Sequence, residues 1–533
     1  MLLSPGTSRS LLRELGVFWG YLAGAVVFTW PLARDLGQAV TDLADPLLNA
    51  WALAWVAHQI LRDPVHLFDA NIFYPERGTL AFSEHLVGVG VPLAPLGWAF
   101  GQPVLTHNVA LLLSIALSGF GAYRLARHLT GSAAAGAVAG SLFAFAPFRL
   151  NHLAHLQLQT TGFLPLAFLC AIRYLESARL RDALGVAVFF FMTSLSCAYY
   201  GVFTGLALVV AVAWAAARRF EAKRVVGLTL ALGLSGLAQL PFVLPYVRLA
   251  TDFGFERPLA RVERASALPR DYLRSTSHVH RAVGLPAAGP EQALFPGFLA
   301  AGLGVLGIFR GGNRRSLFVL VSTLAFWGSL GPRAGLYLLL HEWVPGVSGL
   351  RVPARLSILV LFSLAVLASW GAAFLLRRSR RLAGLLIALP LVESFGGPIP
   401  YARAPVEPPA VYTWLQSMPG SIPIAELPLP LAPLDRARNA TYMLWSTTHF
   451  KPLANGYSAL VPPSYDELAR AIVDFPSESA VQALRARGIG LVVFHKDLVL
   501  RERAREVERQ LEGTKGLREL YRTETEIALE VVR

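Results

Sequence analysis

Apolar residues recur along this chain in long, nearly unbroken runs separated by short polar loops. The runs fall at 15–32, 105–124, 132–148, 159–175, 183–199, 200–217, 225–246, 292–309, 316–330, 356–376 and 382–395. Each is near the ~20 residues that carry a helix across a bilayer core, so the pattern predicts about eleven transmembrane helices. The apolar stretch 86–100 is shorter and holds Pro92 and Pro95. It is expected as a re-entrant or juxtamembrane segment. Around Cys197-Ala198-Tyr199-Tyr200-Gly201 there is almost no loop, which suits two short helices or one broken helix. The pattern then changes. Residues 1–397 read as the multi-spanning domain, with a long first outer loop at 35–104 and a second at 247–291. Residues 398–410 read as a Pro-rich linker, and 411–533 as a small soluble α/β domain. In that tail "SIPIAELPL", "GIGLVVFHKD" and "TEIALEVVR" read as strands, and "SYDELARAIVDF", "SESAVQALRARG" and "RERAREVERQLEG" as amphipathic helices. The fold class is a polytopic α-helical membrane protein with an extracytoplasmic α/β domain at its C-terminus.

Composition supports the same class. The 533 residues are 54% hydrophobic and 15% charged, against about 25% charged in an ordinary soluble chain. The formal charge of +14 does not point to nucleic acid, because the basic residues gather in short loops at 124–128, 179–181, 218–224, 310–315 and 377–381. Placing these loops and the N-terminus in the cytoplasm satisfies the positive-inside bias, and eleven spans then put the tail outside. The first run is expected as a retained helix, since no A-x-A-like cleavage site follows it. Cys170 and Cys197 both lie in apolar runs and imply neither a metal site nor a disulfide framework.

The unusual polar residues collect in the first outer loop. "TDLADPLLNAW" offers Asp42, Asp45 and Asn49 directly after the first run. Asp45 before Pro46 has the form of a helix start, Asp at the N-cap and Pro at the first position. A juxtamembrane helix at 46–61 would follow, lying flat at the membrane surface. Trp51, Trp55, Phe68, Phe73, Tyr74 and Phe82 suit the headgroup level. Asp69 and Asn71 have the form of an Asx turn. Glu84-His85 stands at the head of the 86–100 stretch, where unpaired charge is costly. In the tail, Glu426 ends a strand, and "THFKPLANGYS" offers His449, Lys451, Asn455 and Tyr457.

This order resembles the GT-C class of integral-membrane glycosyltransferases, and more narrowly uncharacterised bacterial GT-C-like proteins. The resemblance rests on an acidic residue after the first helix (Asp45 or Asp42), a juxtamembrane helix, the Glu84-His85 cluster, many later spans and an outer C-terminal domain. Phrases such as "DPLLNAW", "FDANIFYP", "AFSEHL", "RVPARL" and "NGYSALVPPSY" carry it. The chain departs from the oligosaccharyltransferase pattern in lacking a WWD-type signature, and its first motif is D-x-x-D, not D-x-D.

The resemblance implies transfer of a sugar from a polyprenyl-phosphate donor to a glycan, lipid or protein acceptor, with inversion, at the outer face of a bacterial inner membrane. Asp45 is then the expected general base, with Asp42 as the alternative. Asn49, Asp69, Glu84 and His85 are expected to position the acceptor. Arg149, His152 and His155, and Arg351 and Arg355, at the outer ends of spans, are expected to meet the donor phosphate. No cofactor is demanded; a divalent metal, Mg2+ or Mn2+, is compatible. The competing readings are a flippase for a lipid-linked sugar, which the missing repeat and midplane sites disfavour, and a catalytically inactive assembly protein. The topology predicts that a reporter active only outside the cytoplasm will be active when fused after Arg533; an inactive fusion alongside an active cytoplasmic control would break the eleven-span count.

Overall fold

The computed structural model describes residues 5–254 and 257–532. They form two compact units: a helical unit of Met1–Arg34, Val109–Leu244 and Gly254–Pro400, and a second unit of Asp35–Asn108, Pro245–Phe253 and Tyr401–Arg533. The second unit joins the first outer loop to the C-terminal tail.

Each of the eleven apolar runs lies on a helix: Pro5–Phe28, Pro103–Thr130, Ala133–Ala144, Phe163–Ser177, Leu180–Ser196, Ala198–Ala217, Ala222–Asp252, Phe298–Arg310, Arg315–Ser329, Ser357–Arg378 and Leu382–Ser394. Five stretches are long and apolar enough to cross a membrane: Pro103–Thr130, Leu156–Ser177, Ala198–Ala217, Ala222–Asp252 and Pro353–Arg378. Cys197, with extended backbone at φ −159° and ψ 116°, separates two helices at the place where almost no loop is available.

The helical unit is organised around Ser357–Arg378, which is buried over most of its length. Phe298–Arg310 packs on it through glycines. A Cβ at Gly307 would meet the Leu367 carbonyl, and one at Gly371 would meet the Leu303 carbonyl. Small residues let helix backbones approach closely, which is how helices associate where lipid is as apolar as their side chains. One acid lies inside a predicted span, and its partners are all present. Glu393 accepts the amides of Phe298 and Leu299, at the N-terminus of Phe298–Arg310, where the helix dipole favours an anion. His280 Nε2 lies 2.9 Å from the same carboxylate, and its Nδ1 is 2.7 Å from Ser275 Oγ.

In the second unit the tail forms a four-stranded sheet: β1 (Ile424–Leu427), β2 (Leu491–His495), β3 (Leu517–Arg522) and β4 (Glu526–Val531), in the order β1-β2-β4-β3. β1 and β2 are parallel; β4 is antiparallel to β2 and to β3. β2 is buried along its whole length, which explains its unbroken apolar sequence. The helices Pro463–Ala471, Glu478–Ala486 and Arg501–Leu511 match the amphipathic predictions. β3, half of whose residues are charged, and the helices Ala410–Ser417 and Asn439–Ser446 lie outside the elements expected from the sequence.

The first loop shares its compact unit with the tail. Its main helix, Asp45–Arg62, is buried at eleven positions from Pro46 to Ala57. A helix apolar on every side is a buried helix, so it packs inside this unit and does not present the amphipathic surface face expected of it. Several aromatics expected at headgroup level are interior as well: Trp51, Trp55, Phe73 and Phe82 are each 5% exposed or less. The 86–100 stretch is the helix Val87–Phe100, with both prolines inside it. Its 14 residues span about 21 Å, short of the ~30 Å core of a bilayer. It packs on the loop helix through Gly90 against Val56 and through Trp98 Nε1, 2.9 Å from the Ala57 carbonyl.

Loop and tail also exchange backbone hydrogen bonds. Leu453 N donates to Asn71 O, Tyr74 N to Leu453 O, and Phe73 N to Asn455 O, at 2.8–3.0 Å. Asn71 is buried in the middle. It accepts from Trp51 Nε1 at 3.0 Å and donates to Ser446 Oγ at 3.1 Å and Lys451 O at 3.2 Å. Replacing Asn71 by Ala strands these buried groups, each costing about 1–3 kcal/mol. Asn71→Ala is therefore expected to lower stability by about 3 kcal/mol and to speed proteolytic release of the tail from detergent-solubilised protein. Melting and cleavage identical to wild type would show that this side chain does not hold the loop.

Candidate functional site

Asp45 is the first residue of its helix, followed by Pro46. The N-cap is Ala44, without a side-chain cap, so Asp45 is not the capping residue. Asp42 does the related work: its Oδ1 accepts from Ala44 N at 2.9 Å, turning the chain into the helix. Proline at the second position fixes the backbone just inside the start. The Asp45 carboxylate is partly exposed, and its Oδ1 accepts the Tyr457 hydroxyl at 3.0 Å. Tyr457 comes from the tail loop, where its amide approaches Met443 Sδ at 3.1 Å and its ring packs on a cluster including Val40, Leu47, Ala440 and Leu444. The first acid of the loop is thus oriented by a residue of the tail.

The other loop candidates are set as follows. Asn49 is buried one turn along the helix from Asp45. Asp69 Oδ1 accepts from Gly78 N at 2.8 Å, closing the loop segment between them. Glu84 is partly exposed beside the buried His85. His85 Nδ1 accepts from Val87 N at 3.1 Å, and its ring meets Phe68 edge-on at 5.7 Å and Tyr246 at 6.0 Å. Burial pushes the His85 imidazole down to about 4, so it is neutral at neutral pH.

Among the tail candidates, Tyr457 donates to the Asp45 carboxylate. Asn455 is fully buried, exchanging hydrogen bonds with Glu426 N and O at 2.7 and 2.9 Å. Lys451 Nζ donates to the carbonyls of Met418 and Gly420. His449 stacks on Tyr412 at 5.7 Å, and burial and then the Lys451 charge push it down to about 4.

The helical unit holds the basic candidates. The chain after Ala144 breaks into two single turns, Pro147–Leu150 and Leu156–Gln159, so His152 and His155 do not share one helix; their rings are 5.7 Å apart. Arg149 is 1% exposed, and its guanidinium donates to Phe143 O, Ser118 Oγ and Gln159 O at 2.9–3.2 Å. Arg355 is 5% exposed and donates twice to Glu291 Oε1, at 3.0 and 2.6 Å, while its guanidinium carbon lies 4.9 Å from the centre of the Tyr199 ring. His152 Nε2 stands 3.3 Å from the other Glu291 oxygen. Arg351 is the exposed member, and its amide donates to Tyr199 Oη at 2.9 Å.

Glu291 therefore gathers Arg355 and His152, and it was not among the residues singled out from sequence. Its one signal was an acid between Pro290 and the start of an apolar run. Burial alone would raise this carboxyl. The His152 imidazole and the Arg355 charge outweigh that and hold it well below the usual carboxylate range. A depressed carboxylate adds stability that is present above its ordinary value and is lost as pH falls through the lower folded value.

No protein-family model matches the chain, and no curated protein matches it. Solved structures with similar folds do. The archaeal oligosaccharyltransferase AglB from Archaeoglobus fulgidus, in complex with an inhibitory peptide and a dolichol-phosphate, is 13% identical with a TM-score of 0.48, covering 98% of this chain and 74% of that one. ArnT from Cupriavidus metallidurans in the apo state is 12% identical with a TM-score of 0.40, covering 99% and 98%. The same ArnT bound to undecaprenyl phosphate is 11% identical with a TM-score of 0.37, covering 99% of each chain. These are GT-C class membrane glycosyltransferases. At this identity the likeness assigns no residue of this chain.

Removing Glu291 leaves the Arg355 guanidinium buried without its counter-charge, which costs about 3–5 kcal/mol. Glu291→Gln is expected to fall in that range, and the paired change Glu291→Gln with Arg355→Met to recover part of it. Thermal melts of the purified variants check this; equal melting of the single and double variants would show no coupling.

Proposed function

We propose that this chain is an inverting membrane glycosyltransferase. It moves a sugar from a polyprenyl-phosphate donor to an acceptor hydroxyl at the outer face of a bacterial inner membrane, with the N-terminus cytoplasmic, eleven spans and the tail outside. The observation that carries the reading is the Asp45 carboxylate at the head of a buried helix, held at 3.0 Å by the Tyr457 hydroxyl. A general base must be fixed within hydrogen-bond reach of the proton it takes. A carboxylate anchored on a packed helix and oriented by a phenol meets the first part of that requirement. The loop order read from the sequence supports the same assignment.

In direct displacement, Asp45 takes the acceptor hydroxyl proton as the new C–O bond forms at the anomeric carbon. The bond from that carbon to the phosphate oxygen breaks, and the lipid phosphate leaves with the electron pair. Asn49, Asp69 and Glu84, with the neutral His85, are assigned to the acceptor side. The leaving phosphate needs cationic or hydrogen-bonding partners. Among Arg149, His152, His155, Arg351 and Arg355, that role falls first to Arg351, whose side chain is exposed. Arg149 and Arg355 are buried and already direct guanidinium donors to internal acceptors.

In proteoliposomes supplied with a polyprenyl-phosphate hexose, Asp45→Asn is expected to insert normally and to lose about 10³-fold in the rate of lipid-phosphate release. Tyr457→Phe, which keeps the ring and removes the donor, is expected to lose about tenfold in kcat with little change in KM. Full activity of Asp45→Asn would remove Asp45 as the base. Labelled donor crossing the vesicle wall with no new glycosidic bond would replace the enzyme with a transporter.

A further inference from the structure

The tail sheet brings a second set of ionisable groups together, away from Asp45 in sequence and unused by the reaction above. β1 and β2 run parallel, and their C-terminal ends carry Glu426 and His495. His495 pairs directly with Glu526 across the β2–β4 ladder. Glu426 Oε2 lies 2.7 Å from His495 Nε2. Glu426, His495 and Glu526 are 0%, 1% and 2% exposed, and the imidazole is walled by Tyr442 at 5.2 Å and Trp445 at 5.9 Å.

Two buried carboxylates thus flank His495, Glu426 by a hydrogen bond to Nε2 and Glu526 by the strand pairing. The buried Tyr412 hydroxyl lies beside the Glu426 carboxylate. Glu526 makes no ion pair among the described residues; Thr523 Oγ1 donates to it at 2.6 Å. The neighbouring Lys496 is turned to Glu508 and the Thr523 carbonyl. Buried charge of one sign calls for a counter-ion. A third acid stands at the mouth: one ring nitrogen of His495 and one oxygen each of Asp497 and Glu526 lie within 4.8 Å of one another, with Asp497 exposed.

We infer that His495, Asp497 and Glu526 bind a divalent transition-metal ion, with Glu426 orienting the imidazole from behind. An imidazole with two carboxylates suits Zn2+ and its neighbours. A ligating histidine whose other nitrogen rests on a carboxylate is the arrangement that fixes ring and tautomer. Glu426 takes Nε2, which leaves Nδ1 for the ion. An open edge at Asp497 gives the ion its route in. This inference does not depend on the glycosyltransferase reading.

The test uses the full chain in detergent, stripped with EDTA, desalted and titrated with Zn2+, with bound zinc counted by mass spectrometry. One tightly held Zn2+ per chain is expected, and its binding should raise the melting temperature. Asp497→Asn, a surface change that leaves the fold alone, should weaken binding by at least about tenfold, and Glu526→Gln should do the same. Asp45→Asn should keep the ion, which separates this site from any metal at the proposed base. Wild-type protein that retains no zinc, or Asp497→Asn that binds as well as wild type, overturns the assignment.

Discussion

The second unit depends on the backbone exchange between residues 71–74 and 453–455. A loop of this size cannot bury enough apolar surface to offset the entropy of ordering it. Here it obtains a core by joining the tail. The exchanged amides fix the register, and Asn71 fills the space between with hydrogen bonds to both partners. From that register follow the burial of the Asp45–Arg62 helix, the seat of Trp51 and the approach of Tyr457 to Asp45. The proposed base is therefore as rigid as the joint between two distant parts of the chain.

The helical unit meets a different constraint. Charges inside an apolar bundle persist only when their partners are built in. Glu393 meets this with two amides at a helix start and a histidine, and Glu291 with Arg355 and His152. Arg149 meets it with carbonyls, a serine and the Gln159 side chain. The same geometry turns these groups toward internal partners, and Arg351 is the exposed guanidinium beside them.

Local features were legible in the sequence, and distant partnerships were not. Each hydrophobic run lies on a helix, because a run of that kind has few other folded solutions, and five stretches are long and apolar enough to cross a membrane. Amphipathic spacing placed three tail helices, and three of the four strands read correctly. β3 was missed because its alternation is masked by Arg518, Glu519 and Arg522 on an exposed edge. Asp45 was expected to cap its helix, but Asp42 turns the chain one step earlier, a difference of backbone geometry that two acids three apart cannot reveal. Glu291 was invisible because its partners lie 139 and 64 residues away (291 − 152 and 355 − 291). The fusion of loop and tail was hidden for the same reason.

The bond between Tyr457 and Asp45 joins residues 412 positions apart. A ribosome releases the aspartate long before the tyrosine exists. During that interval every intervening helix is made while the first loop waits without the partner that orders it. The Asp45 carboxylate therefore gains this bond only after the last of those helices is made, when the tail folds against it.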